Sequence, residues 1–485
     1  MEQIDRTVNK GMILFLVCLA QFMVVLDLAI VNVALPSIQL DLNMRQSAVQ
    51  WIVIAYGLTL GGFLLLGGRL GDLLGRRKIL LTGLVLFSSA SLLAGLAGSA
   101  QILIAARGLQ GFGAALMAPS ALSILAVTFT EGAERNRSLG IFGAVGGTSA
   151  SIGVIASGLL TDGPGWRWIF FINIPIGIAL ILLAYRYLPR DAAHDGARHY
   201  DALGAATITG SLVLFIYGLN RGVDHGWSSM STLALFVAAA ALLLAFVRVE
   251  ARASSPLVPF AALRNRIMVT ADLVSFLVLG GLFSFFFLGT LLMQEELGYS
   301  PTRTGLAWLA TSVPAFILAG VTGAKLVNRV GVRKLLVAGP LILAVGAAWM
   351  TRIHSGADFL TDLFPAFVLA GIAIGLSAPS IQIGALSGVK GEHIGLASGL
   401  VETTREIGGA VAIAVVSTVL VSQTVGVAGG RGAIELQGFR YAFYVIVVAA
   451  LAGAFISSVG FPSRMPVARL ESELPTDDEL VAEPV

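Results

Sequence analysis

Apolar runs long enough to cross about 30 Å of hydrocarbon recur through the whole chain, beginning near Met12, Ala48, Ile79, Ile102, Ser138, Ile169, Ala202, Ser231, Ile267, Thr304, Leu335, Phe364, Ile394 and Gly438. Runs of this length satisfy their backbone groups in lipid by coiling as helices. Fourteen spans therefore predict an all-α polytopic membrane protein. Composition agrees: 56% of the 485 residues are hydrophobic and 12% are charged, poorer in charge than an ordinary soluble domain. The first run, from Met12 to Leu35, follows a ten-residue polar start and is long for a cleaved signal peptide, so it reads as a retained span.

An even number of spans puts both termini on one side, and lysine and arginine choose the side. The termini and the loops on their side hold 22 of the 31 basic residues, the opposite loops hold 7, and Arg107 and Arg405 lie within spans. That bias places both termini in the cytoplasm of a cell whose inner membrane the chain crosses. The net charge of +3 gives no reason to expect nucleic acid. Cys18 is the single cysteine, so no internal disulfide forms. All five histidines fall in expected loops, which argues against an embedded metal or haem centre.

Two of the basic loops match. Gly67 to Leu80 reads GGRLGDLLGRRKIL, and 256 residues later Gly323 to Leu336 reads GAKLVNRVGVRKLL, with six of fourteen positions identical and Asp72 replaced by Asn328. Their matched places in the span order indicate an internal repeat. Residues 12–188 and 267–461 then form two related six-span halves, with a pair of spans over 202–249 inserted between them. Parallel halves of this kind are a transporter architecture. The tail at 462–485 is acidic, proline-bearing and free of aromatics, so disorder is expected there.

Charges inside the spans mark candidate sites. Asp27 lies about nine residues, or roughly 14 Å, from the outer end of the first span. Arg107 lies about six residues, or roughly 9 Å, from the outer end of the fourth. Unpaired, each would cost several kcal/mol, so a mutual pair or a wet cavity is expected, read either as a structural ion pair or as a functional one. The thirteenth span carries Glu402, Arg405 and Glu406; Glu402 and Arg405 stand at i,i+3, whereas Glu406 is expected to point elsewhere. Asp272 reads equally as an intramembrane or an interfacial residue. A buried carboxylate that loads and releases a proton near neutral pH, and that faces each side in turn, is what proton-coupled transport requires. Asp27 is the first candidate and Glu402 the second.

The small residues of RGLQGFGAAL and GIFGAVGGTSASIGVIASG are foremost a helix-packing device. Asn173 and Pro175 suggest a helix break, and Trp166 and Trp168 an interfacial belt. Phe283, Phe285, Phe286, Phe287 and Trp308 fit the wall of an apolar cavity or a lipid-facing surface equally well. Asn32, Gln110, Phe283, Phe286, Trp308 and Glu406 are the expected cavity residues.

Taken together, these residues resemble the major facilitator superfamily, and within it the fourteen-span drug:proton antiporters. GGRLGDLLGRRK is similar to the superfamily loop signature at Gly68, Leu70, Asp72, Gly75, Arg76 and Arg77, with Leu73 where a basic residue is common. LDLAIVNVALP resembles the first-span signature, carrying Asp27, Asn32, Ala34, Leu35 and Pro36. RGLQGFGAA resembles the fourth-span signature, and WRWIFFINIPIG is similarly characteristic.

The resemblance implies that Arg107 couples protons; Asp27, Glu402 and Arg405 join it as the expected proton-coupling residues on the charge argument above. It implies that Gly68, Asp72, Gly75, Arg76 and Arg77 latch the halves on the cytoplasmic side, Asp72 by accepting hydrogen bonds from a nearby helix start and by pairing with basic residues across that face. One departure stands out: the fifth-span antiporter signature carries Gly-Pro and then Gly-Gly, while Gly153 to Gly158 (GVIASG) keeps only the outer glycines. Glu402 also replaces an uncharged polar residue, which hints at a cationic substrate or an extra proton site. The function implied is proton-driven export of amphipathic organic compounds by a monomer among membrane lipids, without a cofactor. The alternative on the same fold is an exporter of lipids or endogenous metabolites. A channel would carry repeated filter-like segments, and an enzyme a set of nucleophile, base or metal ligands; the apolar runs offer neither.

Overall fold

Lipid gives the backbone no partner, so each apolar run satisfies its own amides as helix. The computed structural model describes residues 9–44, 46–189, 201–253, 258, 264–387, 389, 393–422 and 431–462. In chain order the helical segments are α1 (Lys10–Asp41), α2 (Gln46–Leu74), α3 (Arg76–Gly95), α4 (Ala100–Thr128), α5 (Ala133–Asp162) and α6 (Trp168–Tyr187). Then come α7 (Ala202–His225), α8 (Met230–Glu250), α9 (Arg266–Glu296), α10 (Thr302–Val321), α11 (Val332–Met350), α12 (Phe359–Leu386), α13 (Ile394–Ser422) and α14 (Arg431–Gly460). Thirteen of these are, among the described residues, long and apolar enough to cross a membrane. The other, α5, runs 30 residues, enough to span by its rise alone. The acidic tail beyond Pro462, where disorder is expected, lies outside the described residues.

The two halves repeat one packing scheme. In the first, α1 packs on α5, α2 and α3 pack on α4, and α3 packs on α6; in the second, α9 packs on α13, α10 and α11 on α12, and α11 on α14. The halves meet along two seams, α2 against α13 and α5 against α10, and the repeat exchanges one seam for the other. Helices in lipid gain nothing from hiding apolar surface from water, so close approach and dispersion hold them together. Glycine permits that approach. A Cβ on Gly68 would sit 3.0 Å from Gly399 Cα on α13, and one on Gly140 would sit 2.8 Å from Gly323 Cα on the helical stretch just beyond α10.

The repeated loops also share a backbone conformation. Gly75 has φ +103° and starts α3, and Gly331 has φ +90° and starts α11. Both lie in the region that only glycine enters freely, which accounts for one of the six identities between the loops.

The inserted pair α7 and α8 packs as a hairpin, and α7 lies against both α2 and α13. Ile208 and Phe246 of the hairpin share a small core with Leu65 of α2 and Leu396 of α13. The Trp227 indole N–H donates to Thr418 Oγ1 on α13 at 2.9 Å. The hairpin therefore covers one seam between the halves from the lipid side.

One face of the bundle gathers the starts of α1, α3, α5, α9, α11 and α13 with the ends of the helices before them. Lys10 pairs with Glu134 at 2.8 Å, and Arg266 Nη2 donates to Val459 O at 3.0 Å. Lys10 and Gly460 consequently lie on the same face, the one rich in lysine and arginine. At the opposite face Arg167 pairs with Asp41 at 2.7 Å, and Arg440 Nε donates to Ile353 O at 2.8 Å.

Candidate functional site

Side chains from two other helices meet at Asp27 of α1. Its carboxylate forms an ion pair with Arg107 Nη1 from α4, and its Oδ1 accepts from Gln110 Nε2 at 2.9 Å and from Asn173 Nδ2 of α6 at 3.0 Å. Arg107 also donates from Nε to Ile52 O at 3.1 Å and from Nη1 to Gln110 Oε1 at 2.9 Å. Gln110 Nε2 in turn donates to Ser91 Oγ of α3 at 2.7 Å. Asp27, Arg107, Gln110, Ser91 and Asn173 are fully buried. A pair buried in such a place is tolerated because both carboxylate oxygens and the guanidinium have partners. The mutual pairing expected of Asp27 and Arg107 is present, and Gln110, expected at the cavity wall, is instead a member of the ion-pair network.

Tyr56 of α2 closes the network on the side toward the second half. Its ring lies 4.2 Å from the Arg107 guanidinium carbon, a cation–π contact, and its hydroxyl donates to Val24 O at 3.2 Å. It is fully buried and lies within electrostatic reach of both Asp27 and the α13 charges Arg405 and Glu406.

Those α13 charges form the second cluster. Arg405 Nη2 lies 2.6 Å from Glu402 Oε2, an ion pair at i,i+3 whose geometry is off the line of a hydrogen bond. The same guanidinium donates to Glu406 Oε1 from Nε at 3.2 Å and from Nη2 at 2.9 Å. This corrects the expectation that Glu406 points away: adjacent residues on a helix diverge by about 100°, but the long arginine side chain folds back across that angle. Glu402 is 2% exposed, whereas Arg405 and Glu406 side chains keep 16% each. The trio thus has one carboxylate sealed in and another carboxylate reaching a more open side.

At the basic face, Asp72 Oδ1 accepts from Gly395 N at 3.0 Å and Oδ2 from Leu396 N at 2.9 Å, so one carboxylate ties α2 to the first turn of α13. Its basic partner is Arg76 at 3.0 Å, in its own loop rather than across the face. Gly68 lies one turn earlier on the same seam, against Gly399. Arg77 does something else: Nη2 donates to Tyr185 O at 2.6 Å, tying α3 to α6 within one half. The repeat partner of Asp72, Asn328, accepts from Asn136 Nδ2 on α5 at 3.0 Å. Each loop thus reaches the other half, one through a charge and one through an amide.

The aromatic residues, expected either at a cavity wall or at a lipid-facing surface, take separate places. Trp308 is 2% exposed, stacked on Phe367 at 4.3 Å between ring centroids and in contact with Phe286 at 4.3 Å. Its indole N–H donates to Thr290 Oγ1 at 3.1 Å. It serves as packing between α9, α10 and α12. Phe283 is half-buried with its ring over Gly409 of α13. Asp272 is half-buried, with its Oδ1 enclosed and without a hydrogen-bond partner. Asn32 sits on α1, and its side chain lies outside the described residues. The fifth-span departure leaves α5 continuous from Ala133 to Asp162 with no proline to bend it, and Gly153 and Ser157 let it run close along α1. Sequence reading missed Tyr56, Ser91 and the role of Asn173; a hydroxyl or amide inside an apolar run, at the depth of a known charge, is the signal that would have found them.

The Major Facilitator Superfamily model matches residues 17–413 and 271–482. The puromycin resistance protein of Streptomyces alboniger is 36% identical over 92% of this chain and 89% of its own length. The cephamycin export protein of Amycolatopsis lactamdurans is 36% identical over 94% and 93%. Among solved structures, the human organic anion transporter MFSD10 superposes with a TM-score of 0.66 at 15% identity, covering 93% of this chain and 99% of its own, a likeness of fold.

Proposed function

The chain belongs to the major facilitator superfamily and is a membrane transporter, not an enzyme; from that premise we propose that it exports amphipathic organic compounds, such as drugs or antibiotics, in exchange for protons. The observation that carries the reading is the pair of buried charge clusters, one in each half, with Tyr56 between them. Rocking of the halves about the two seams would expose this region to each side in turn. In the outward-open state the clusters take up a proton from outside. In the inward-open state the proton leaves and substrate enters, and a cationic compound finds its counter-charge in Glu402 or Glu406. Carboxylates are the groups able to make that exchange, with Arg107 and Arg405 holding each in register. The named activities of the relatives, antibiotic resistance and export, support the substrate class. The basic face is assigned to the cytoplasm on its lysine and arginine content, within the inner membrane, and the proton gradient supplies the energy to a working monomer.

The test is drug-induced proton release from purified protein, paired with uptake into energised inside-out vesicles. Asp27→Asn or Glu402→Gln should lower release per mole of folded protein at least tenfold. Wild-type coupling in both variants would overturn the assignment of the proton sites. A wild-type protein that moves no cationic or neutral drug under a proton gradient would overturn the function.

A further inference from the structure

A groove of about 570 Å³ opens on the outer surface of the first half, where the end of α2, the start of α3 and the end of α6 meet. Arg77, Lys78 and Tyr185 line it together with the apolar side chains of Leu81, Val85 and Leu86. We propose that this groove binds an anionic phospholipid, its phosphate held by Arg77 and Lys78 and one acyl chain laid along α3. The assignment of its leaflet rests on the orientation given above, and the binding itself does not.

Three observations support it. The groove faces lipid: Val85 is 49% exposed and Tyr185 68% exposed, on a side away from both seams where the halves meet. Its polarity changes with depth as a phospholipid does, from two cations at the first turn of α3 to leucine and valine one to two turns further along. Leu86 lies eight residues beyond Lys78, about 12 Å at helical rise, which carries the lining from headgroup level into hydrocarbon. The cationic end is also pre-formed: Arg77 is held by its hydrogen bond to Tyr185 O, with its guanidinium carbon 5.1 Å from the Tyr185 ring. A fixed cation beside an interfacial aromatic suits a phosphate ester at the membrane surface. Arg77 immediately follows Arg76, which bonds Asp72, so a bound lipid would bear on the start of the helix that carries the proposed latch.

The experiment uses the full chain in mild detergent, titrated separately with dioleoyl phosphatidylglycerol, dioleoyl phosphatidylcholine and water-soluble glycerol phosphate, with bound adducts counted by native mass spectrometry. Wild type should retain one phosphatidylglycerol in preference to phosphatidylcholine and should not retain glycerol phosphate. Lys78→Gln, which removes one cation, should weaken that retention about fivefold. Val85→Trp fills the apolar part of the groove and should weaken it without altering charge. Arg137→Gln removes an exposed cation elsewhere on the basic face and should leave it unchanged. Equal retention of both lipids, binding of glycerol phosphate alone, or an Arg137→Gln loss as large as that of Lys78→Gln would each overturn the proposal. Lipid retention is read without transport, so a failure here is distinct from a failure of the exporter reading.

Discussion

Asp27 is accommodated inside the bundle because three side chains from two other helices meet its two oxygens. Removing one member of a buried pair leaves the other uncompensated, at about 3–5 kcal/mol. Arg107→Ala should therefore lower the thermal midpoint sharply, and Asn173→Ala, which removes one hydrogen bond to a charge, should cost about 1.5–3 kcal/mol. A thermal shift assay in detergent ranks them, and an equal effect of the two would contradict the network as described. The surface pairs behave differently. The hydrogen bond from Lys10, helped by the Thr130 amide, holds the Glu134 carboxyl below its usual range. A depressed carboxyl contributes stability that is present above its unfolded value and lost as pH falls through its folded one. The difference in midpoint between wild type and Glu134→Gln should thus be small and constant from pH 6 to 8, shrinking only on acidification below about pH 4.5. A change between pH 6 and 8 would contradict that sign.

At the scale of elements, one carboxylate joins two helices that belong to different halves. Asp72 accepts the amides of Gly395 and Leu396 at the start of α13, where the helix dipole favours negative charge. Asp72→Asn keeps the shape and one acceptor but loses the charge, making the first loop like the second. Transport in vesicles should fall severalfold while expression and membrane insertion stay near wild type. Full transport in this variant would leave the seam without a charged latch. The sequence showed that Asp72 needed a partner and that its neighbours were basic. It did not show that Arg76 would be the partner or that Arg77 would turn to α6, because loop residues one position apart take their directions from helices far away in the chain.

For the whole molecule, alternating access requires the α5 and α10 seam to open at the basic face. Asn136 and Asn328 touch there, so Asn136→Cys with Asn328→Cys, in a Cys18→Ser background, should form a disulfide under mild oxidation and hold that face shut. Transport should be lost on oxidation and return with reductant. Undiminished transport with the cross-link formed would mean that this seam does not move. The inserted hairpin bears on the other seam through Ile208, Phe246 and Trp227, which gives the insertion a definite place on the bundle that its apolar composition alone did not disclose.

The sequence by itself determined the helices, their number, the repeat and the family, because each depends on local properties: apolar length against bilayer thickness, the distribution of lysine and arginine, and a basic string repeated in two matching loops. It also marked Asp27, Arg107, Glu402 and Arg405, since a charge in an apolar run is conspicuous. Only the tertiary structure decided who meets whom. Asn173 completes the shell of Asp27 from 146 residues away, Gln110 joins the ion pair, Tyr56 lies between the two clusters, and Trp308 turns inward to a stack of rings. In lipid a helix face is not sorted by hydrophobicity, so the direction in which a side chain points is set by the close fit of neighbouring helices, and that fit exists only once the whole bundle is assembled.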